Sequence, residues 1–389
     1  MNTILFDGPE RKNLLPFTYT KPVAELRIGI LTLREKWEKV LNCKTSTKTE
    51  KYLADKWKLK TEKENLYLNP AFLPDESLIK QIKSLKTEEK LVWNKAIVAF
   101  VARGKNFDYV DFKNVEVKKE PLHITSSYDL FSKNEEAITR DFKLITTGRK
   151  SAEIPDSVFV KNKENIFIEE GAKLTNCSLN AENGFIYIGK NAEVMEGVFV
   201  RGSLALCNNS YLNMGAKIYG ATTIGPYSKV GGEVNNSVVI GYSNKGHEGF
   251  LGNSVLGEWC NIGADSNTSN LKNNYAEVRI WDYETERFAP TGLQFCGLMF
   301  GDHSKCGINT MFNTGTVVGV SANIFGAGFP RNFIPSFTWG GSSKMITYRI
   351  NKVFEVAEKV MERRAVKLTE KDKAILEYVF EETQKYRRD

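Results

Sequence analysis

The chain has 389 residues, 41% hydrophobic and 26% charged, with a net charge of +7. That length holds two or three domains, and the composition is that of a water-soluble globular protein. The modest positive balance suits anionic small ligands; no Lys/Arg block or stacking-aromatic motif argues for nucleic acid, no 18-residue apolar run for a membrane span, and no basic-then-apolar leader follows Met1. The cysteines Cys43, Cys177, Cys207, Cys260, Cys296 and Cys306 stand apart with no CxxC pair. That usage points to free thiols in a reducing cytoplasm, not to a disulfide framework or a zinc site.

Taken in chain order, Thr3-Ile4-Leu5-Phe6 predicts a short strand ending in the turn Asp7-Gly8-Pro9. Arg11, Leu14-Leu15-Pro16-Phe17-Thr18 and Lys21-Pro22 follow, and Leu26, Ile30, Leu33, Trp37 and Leu41 have helical spacing. A strand, a glycine turn, a basic loop and a helix open an α/β nucleotide-binding unit. A Lys-rich patch runs from Lys44 to Lys63, and Leu91 to Val101 predicts two strands around a turn. Phe107 to Ser151 reads as helices and connectors, with His123 as a loop or packed histidine. This first domain is assigned residues 1–145.

From Ile188 the pattern changes. Ile188, Val194, Val200, Leu206, Leu212, Ile218, Ile224 and Val230 are aliphatic at every sixth position. Four residues after most of them stands a small or polar residue: Ala192, Ser210, Ala216, Thr222 or Ser228. A period of six fits neither an α-helix nor a simple strand; it is the hexapeptide signature of a left-handed parallel β-helix. The period is disturbed through Ile240, Leu251, Leu256 and Ile262. It returns at Phe300, Cys306, Phe312, Val318 and Ile324. The solenoid is assigned residues 146–340, with an irregular first coil near Ile154 and an end at Thr338-Trp339-Gly340-Gly341. Residues 265–296 form an excursion with a hairpin from Val278 to Phe288. Val353, Val356 and Val360, then Ile375, Tyr378 and Val379 after a Thr369-x-x-Asp372 start, predict two helices closing residues 341–389. The fold class is therefore mixed: an α/β domain, a β-helix and short C-terminal helices.

The opening order Leu5…Gly8…Arg11…Leu15-Pro16-Phe17-Thr18…Lys21-Pro22 resembles the start of sugar-1-phosphate nucleotidyltransferases. That resemblance implies a nucleotide site at Gly8, Arg11 and Lys21, with UTP as nucleotide and Mg²⁺ as cofactor if the domain is active. Glu10 stands where phosphate would approach. Leu66-Tyr67-Leu68-Asn69-Pro70 lacks the family's metal-binding aspartate, so the metal position is unknown.

The peptide Lys245-Gly246-His247-Glu248-Gly249-Phe250-Leu251-Gly252-Asn253, followed by Asn261-Ile262-Gly263-Ala264 and Asn270, resembles the acetyltransferase half of the GlmU-type family. Those enzymes are bifunctional N-acetylglucosamine-1-phosphate uridyltransferases and glucosamine-1-phosphate acetyltransferases. The chain looks like the variant form with a shortened first domain. The resemblance implies His247 as catalytic base, with Glu233, fourteen residues earlier, as its site glutamate. It implies Asn235, Phe250, Asn261 and Asn270 around the sugar phosphate, which needs cations; Lys217, Lys245, Lys272 and Arg279 are near in sequence. It implies Gly263, Ala264, Ile308, Ala327 and Arg331 along acetyl-CoA, with Lys344 near the cofactor's phosphates, and a homotrimer as the assembly. The chemistry agrees: an imidazole can take the amine's proton near neutral pH, and a glycine-rich corner can offer N–H donors to an oxyanion. The His247 peptide is expected to be an insertion leaving the solenoid wall. His303, at a strand end on a later coil, is the rival base. Two other readings stay open: a nucleotidyltransferase whose solenoid only assembles or regulates, and a non-catalytic scaffold.

Overall fold

The computed structural model describes residues 1–104 and 107–387 and divides into two compact units. Unit 1 comprises residues 1–26 and 31–126. Its β1 (Asn2–Phe6) pairs in parallel with both β2 (Thr45–Lys48) and β3 (Glu64–Leu68). The predicted strand pair around a turn is β4 (Glu89–Trp93) and β5 (Ala96–Arg103), and β5 runs antiparallel to β3. With β6 (Lys113–Glu116) the sheet order is β2-β1-β3-β5-β4-β6. Strand alternation sorts the core into two sides. Leu5, Leu66, Leu68, Ala99 and Val101 pack on one side with Trp37 and Phe72. Ile4, Phe6, Tyr67 and Phe100 pack on the other, where Tyr67 stacks on Phe100 at 4.7 Å.

The helices described in this unit are α1 (Glu10–Asn13), α2 (Leu33–Leu41) and α3 (Glu76–Ser84). The helix predicted from Leu26 thus begins only at Leu33. Thr32 caps it, in a reciprocal capping box with Glu35. Residues 27–30 cannot be helical because Gly29 has φ +70°. They group instead with unit 2. There Gly29 N–H donates to Asn134 Oδ1 (2.7 Å), Ile30 N–H to Asp141 Oδ2 (2.8 Å), and Thr223 Oγ1 to Gly29 O (2.9 Å). A side chain at residue 29 would meet the Ala137 backbone at 2.8 Å, so this position requires glycine.

Unit 2 comprises residues 27–30 and 127–387 of the described chain. After α4 (Asp129–Ser132) and α5 (Asn134–Thr146) the chain winds into a parallel β-solenoid with three faces. The first face carries six strands from Phe159–Lys161 to Phe250–Gly252. The second carries nine, from Ile166–Ile168 to Phe333–Ile334. The third carries five, from Lys173–Leu174 to Asn244–Lys245, and resumes at Lys305–Cys306. The six-residue steps are the inward positions: Ile188 through Val230, and Phe300 through Ile324, are all buried in one aliphatic column. Each such side chain contributes about 1.5–3 kcal/mol of burial, and only because the next turn covers it. Between the regular runs the inward residues are Val234 and Val239 rather than Ile240.

The excursion after Thr268 contains the expected hairpin, Arg279–Asp282 against Arg287–Pro290. The solenoid ends at Thr338–Gly340, which a reversed strand, Met345–Thr347, covers. Two helices follow, α6 (Ile350–Glu362) and α7 (Glu370–Glu382), the second with the predicted Thr369–Asp372 capping box. Ala357 and Met361 of α6 pack on Trp259. No described helix is long and apolar enough to cross a membrane.

Candidate active site

The geometry of the His247 peptide follows from the hexad. Lys245 and Leu251 are six apart, as are Leu212 and Ile218, and Val194 and Val200. Gly246 to Phe250 is therefore a corner of ordinary length between the third and first faces, not an insertion. The reason lies upstream: Val230 to Val234 is two residues short, so the following corner only looks long. His247 and Glu248 are exposed at its tip. Gly249 has φ +116°, and a Cβ there would lie 2.2 Å from Ser266 O, so the corner closes only on glycine. The corner carbonyls are taken: Gly246 O accepts from Asn213 Nδ2 at 2.8 Å and His247 O from Lys245 Nζ. Among the described residues, the N–H groups of His247, Glu248 and Gly249 find no protein acceptor.

The first face carries the other expected residues into register. Lys217, Glu233 and Phe250 are neighbours on three successive turns, and Tyr219, Asn235 and Gly252 form the parallel row two residues on. Glu233 Oε1 accepts from Tyr219 Oη at 2.6 Å. Burial, and then that hydrogen bond, raise the Tyr219 pKa, so the phenol keeps its proton and donates. Phe250 N–H donates to Asn267 Oδ1 at 2.8 Å, and Asn270 Nδ2 to Asn253 Oδ1 at 2.8 Å. Lys217 Nζ lies 3.6 Å from Glu248, an exposed pair worth about 0–1 kcal/mol. Tyr219, Glu248 and Asn267 were missed in the sequence; strand alternation from Lys217 would have found Tyr219.

Three expected sugar-phosphate residues lie elsewhere. Lys245 occupies an inward position, in register with Val230, and is buried. Asn261 bridges Asn244 and Lys305 on the third face. Lys272 donates to Glu277 O at 2.6 Å in the excursion. The residues expected along acetyl-CoA follow the His247 corner. His247, Ala264 and Ile308 each stand two places after an inward residue of the third face, Lys245, Ile262 and Cys306. Asp265 N–H donates to Glu248 O (3.0 Å) and Asn309 N–H to Ala264 O (2.8 Å), so the corners stack turn upon turn. Gly263 cannot bear a Cβ, which would meet Gly307 at 2.4 Å, and Ile308 is 71% exposed. Ala327 stands at the exposed end of this series, and Arg331 just beyond it. His303 lies at the other end of the third face's strands. It is half-buried at the end of a ring stack that runs Tyr227, Tyr242, Trp259, His303, and it lies beside Val353 and Ala357 of α6.

In unit 1, Gly8 is overlain by a carboxylate. A Cβ on Gly8 would lie 2.2 Å from Glu10 Oε2 and 2.5 Å from Asn69 Nδ2. Glu10 is buried, 2.6 Å from His123 Nε2 and 3.1 Å from Asn69 Nδ2, and His123 stacks on Phe72 at 3.8 Å. Burial opposes ionisation of Glu10, but the bonds from His123, its own backbone and Asn69 outweigh it and hold the pKa below the usual range. Arg11 bonds Thr18 O (2.8 Å) and Tyr52 Oη (2.6 Å) and lies 3.5 Å from Asp7. Asp7 is pushed up by burial, against bonds from Thr49 and Val23. Lys21 is buried. Among the described residues no three His, Cys, Asp or Glu side chains gather as metal ligands.

Comparison with known proteins finds relatives of this chain. Residues 3–150 match the model of the family described as "Sugar nucleotidyl transferase". A "Bifunctional sugar-1-phosphate nucleotidylyltransferase/acetyltransferase" from Sulfurisphaera tokodaii is 24% identical over 232 residues, 56% of this chain and 54% of that one. A "Bifunctional protein GlmU" from Synechococcus elongatus is 28% identical over 155 residues, 38% of this chain and 29% of that one. The solved polySia-specific acetyltransferase NeuO aligns with 54% of this chain and 99% of its own at 16% identity and a TM-score of 0.30. The chain spans about half the length, or less, of the curated relatives it matches. It is thus similar to bifunctional nucleotidylyltransferase/acetyltransferases, with residues 3–150 matching a sugar nucleotidyl transferase model and a β-solenoid after them.

Proposed function

We propose that the solenoid transfers an acetyl group from acetyl-CoA to the amine of glucosamine-1-phosphate, in the synthesis of UDP-N-acetylglucosamine. The observation that carries this is the His247 corner: an exposed imidazole, three backbone N–H groups without protein acceptors, and the Lys217–Glu233–Phe250 row beside them. In this reading His247 takes the amine proton as the nitrogen attacks the thioester carbonyl. The corner N–H groups hold the oxyanion, and the C–S bond breaks to release the CoA thiol. Glu233, fixed by Tyr219, and Asn235, Asn270 and Phe250 form the wall for the sugar phosphate. Gly263, Ala264 and Ile308 give the pantetheine chain a track of small backbone and exposed apolar surface leading away from His247, and a neighbouring copy in a homotrimer closes its open side. The fit of acetyl-CoA rests on that track, which is bare of charged side chains between Asp265 and Arg331 at the corner positions Gly307, Ile308, Gly326 and Ala327.

The test is release of CoA thiol from acetyl-CoA on adding glucosamine-1-phosphate, with wild type and His247→Ala. No release above background by the wild type refutes the reading. The family match of residues 3–150 supports a second activity, uridylyl transfer from UTP to N-acetylglucosamine-1-phosphate in unit 1. It is measured separately by pyrophosphate release.

A further inference from the structure

Lys245 is a buried charge that the proposed acetyl transfer does not use. The inward residues of the third face run Leu174, Val194, Leu212, Val230, Lys245, Ile262, Cys306 and Ile324, and Lys245 alone among them is charged. It forms no ion pair among the described residues, and its Nζ donates to His247 O. An ammonium taken out of water without a carboxylate partner is unfavourable. An aliphatic side chain would fill the column as its neighbours do. The charge is therefore explained by what it touches.

Its partner is a carbonyl that the next turn does not reach. Asn176, Glu196 and Ala264 each stand two places after an inward residue of this face. Their carbonyls accept an N–H from the following turn, of Gly197 (2.9 Å), Gly215 (3.0 Å) and Asn309 (2.8 Å). At the His247 corner that bond falls one residue later, on Glu248 O from Asp265 N–H at 3.0 Å, and His247 O is left to Lys245. The peptides of the corner are trans, and a trans peptide points its C=O and its N–H in opposite directions. Each grip on a carbonyl therefore aims an amide. Asn213 on Gly246 O turns the His247 N–H away from it, Lys245 on His247 O turns the Glu248 N–H, and Asp265 on Glu248 O turns the Gly249 N–H. These are the three N–H groups that find no protein acceptor among the described residues. The next peptide ends the series: Gly249 O accepts from Glu233 N–H at 3.2 Å, but Phe250 N–H is taken by Asn267 Oδ1.

We propose that Lys245 is a positioning residue for acetyl transfer: it holds the His247 carbonyl inward so that the Glu248 N–H faces the oxyanion formed at the thioester carbonyl. This rests on the acetyl-transfer reading and adds a residue to it. Losing one preorganised oxyanion donor lowers kcat about 10²–10³-fold. Lys245→Met keeps the length of the side chain and removes the donor. Its kcat for CoA thiol release should fall at least about tenfold, with KM for acetyl-CoA and for glucosamine-1-phosphate within about threefold of wild type, because the oxyanion forms only after both are bound. The variant should be folded and no less stable, whereas a residue that served only the fold would lose stability and activity together. Lys245→Gln, which keeps an N–H donor on a side chain one bond shorter, should recover part of kcat. Crystal structures of wild type and Lys245→Met read the same contact without turnover: the His247–Glu248 peptide is expected to rotate, so that His247 O no longer points into the column. A kcat within about threefold of wild type overturns the proposal, as does a loss of activity in step with a loss of stability, or an unmoved peptide. A wild type that releases no CoA thiol fails the acetyl-transfer reading instead, and the crystallographic comparison then decides whether Lys245 aims the peptide.

Discussion

Lys245 is a charged residue in an aliphatic column, and Lys245→Met measures what that arrangement costs. The side chain is 1% exposed, and burial lowers its pKa from 10.5 to about 8. A tenfold loss of proton affinity corresponds to about 1.4 kcal/mol, so keeping the buried ammonium charged at pH 7 costs at most about 3.5 kcal/mol. The bond from Nζ to His247 O returns about 1 kcal/mol. Methionine keeps the length and removes the charge. The variant should therefore be more stable than wild type by roughly 1–2 kcal/mol at pH 7. The pH dependence has a definite sign. Between about pH 8 and 10.5 the unfolded lysine holds a proton that the folded one has released, so wild-type stability rises with pH in that window. The gap between the variant and wild type should close as pH rises from 7 to 10. Guanidinium unfolding at pH 7, 8.5 and 10 measures it. A Lys245→Met protein less stable than wild type at pH 7, or a gap that widens with pH, refutes the reasoning.

Other outcomes follow from the same geometry. His247→Ala should lower kcat for acetyl transfer about 10²–10⁴-fold, with His303→Ala close to wild type; the reverse result in the thiol-release assay moves the chemistry to the other end of the third face. Phe300→Ala, deep in the column, should cost about 3–5 kcal/mol in chemical unfolding, and a loss below about 1 kcal/mol would mean that the column is not the core. Glu10→Gln removes a carboxylate whose pKa is held down by His123 and Asn69, so its contribution is present above the ordinary carboxylate range and lost as pH falls through the lowered value. Unfolding at pH 6 and pH 3 should accordingly show less acid sensitivity in the variant, and equal sensitivity counts against the pairing.

The solenoid is legible because its repeat is covalent arithmetic. A step of six returns the chain to the same corner, so inward residues can be counted without knowing which turn they meet. The same arithmetic is easily overlooked where the residue is polar. Lys245 stands six before Leu251, which marks it as inward, but its charge suggests the phosphate-binding set. The helix expected from Leu26 fails for the converse reason. Ile30 keeps helical spacing with Leu26 and Leu33, yet its backbone is held by Asp141, 111 residues away, and no local pattern carries that. His123 is a similar case: its stacking on Phe72 and its contact with Glu10 join residues 51 and 113 apart.

The two candidate sites differ in how far sequence can reach them, and the difference is physical. On the first face, register converts spacing into proximity. Lys217, Glu233 and Phe250 are sixteen and seventeen residues apart, about one turn, so a site along the face is written as a period. In unit 1 no period exists, and Gly8 can be read only by likeness to a phosphate loop. There the structure adds what likeness cannot carry: the carboxylate of Glu10 sits over Gly8, with His123 and Asn69 around it. An anion arriving at Gly8 would meet like charge at the place where backbone approach is closest, so Glu10 must swing away from His123 and Asn69 before a phosphate can reach that glycine. If a nucleotide phosphate binds at Gly8, as proposed, its affinity should depend on the strength of that internal contact as much as on Arg11 and Lys21.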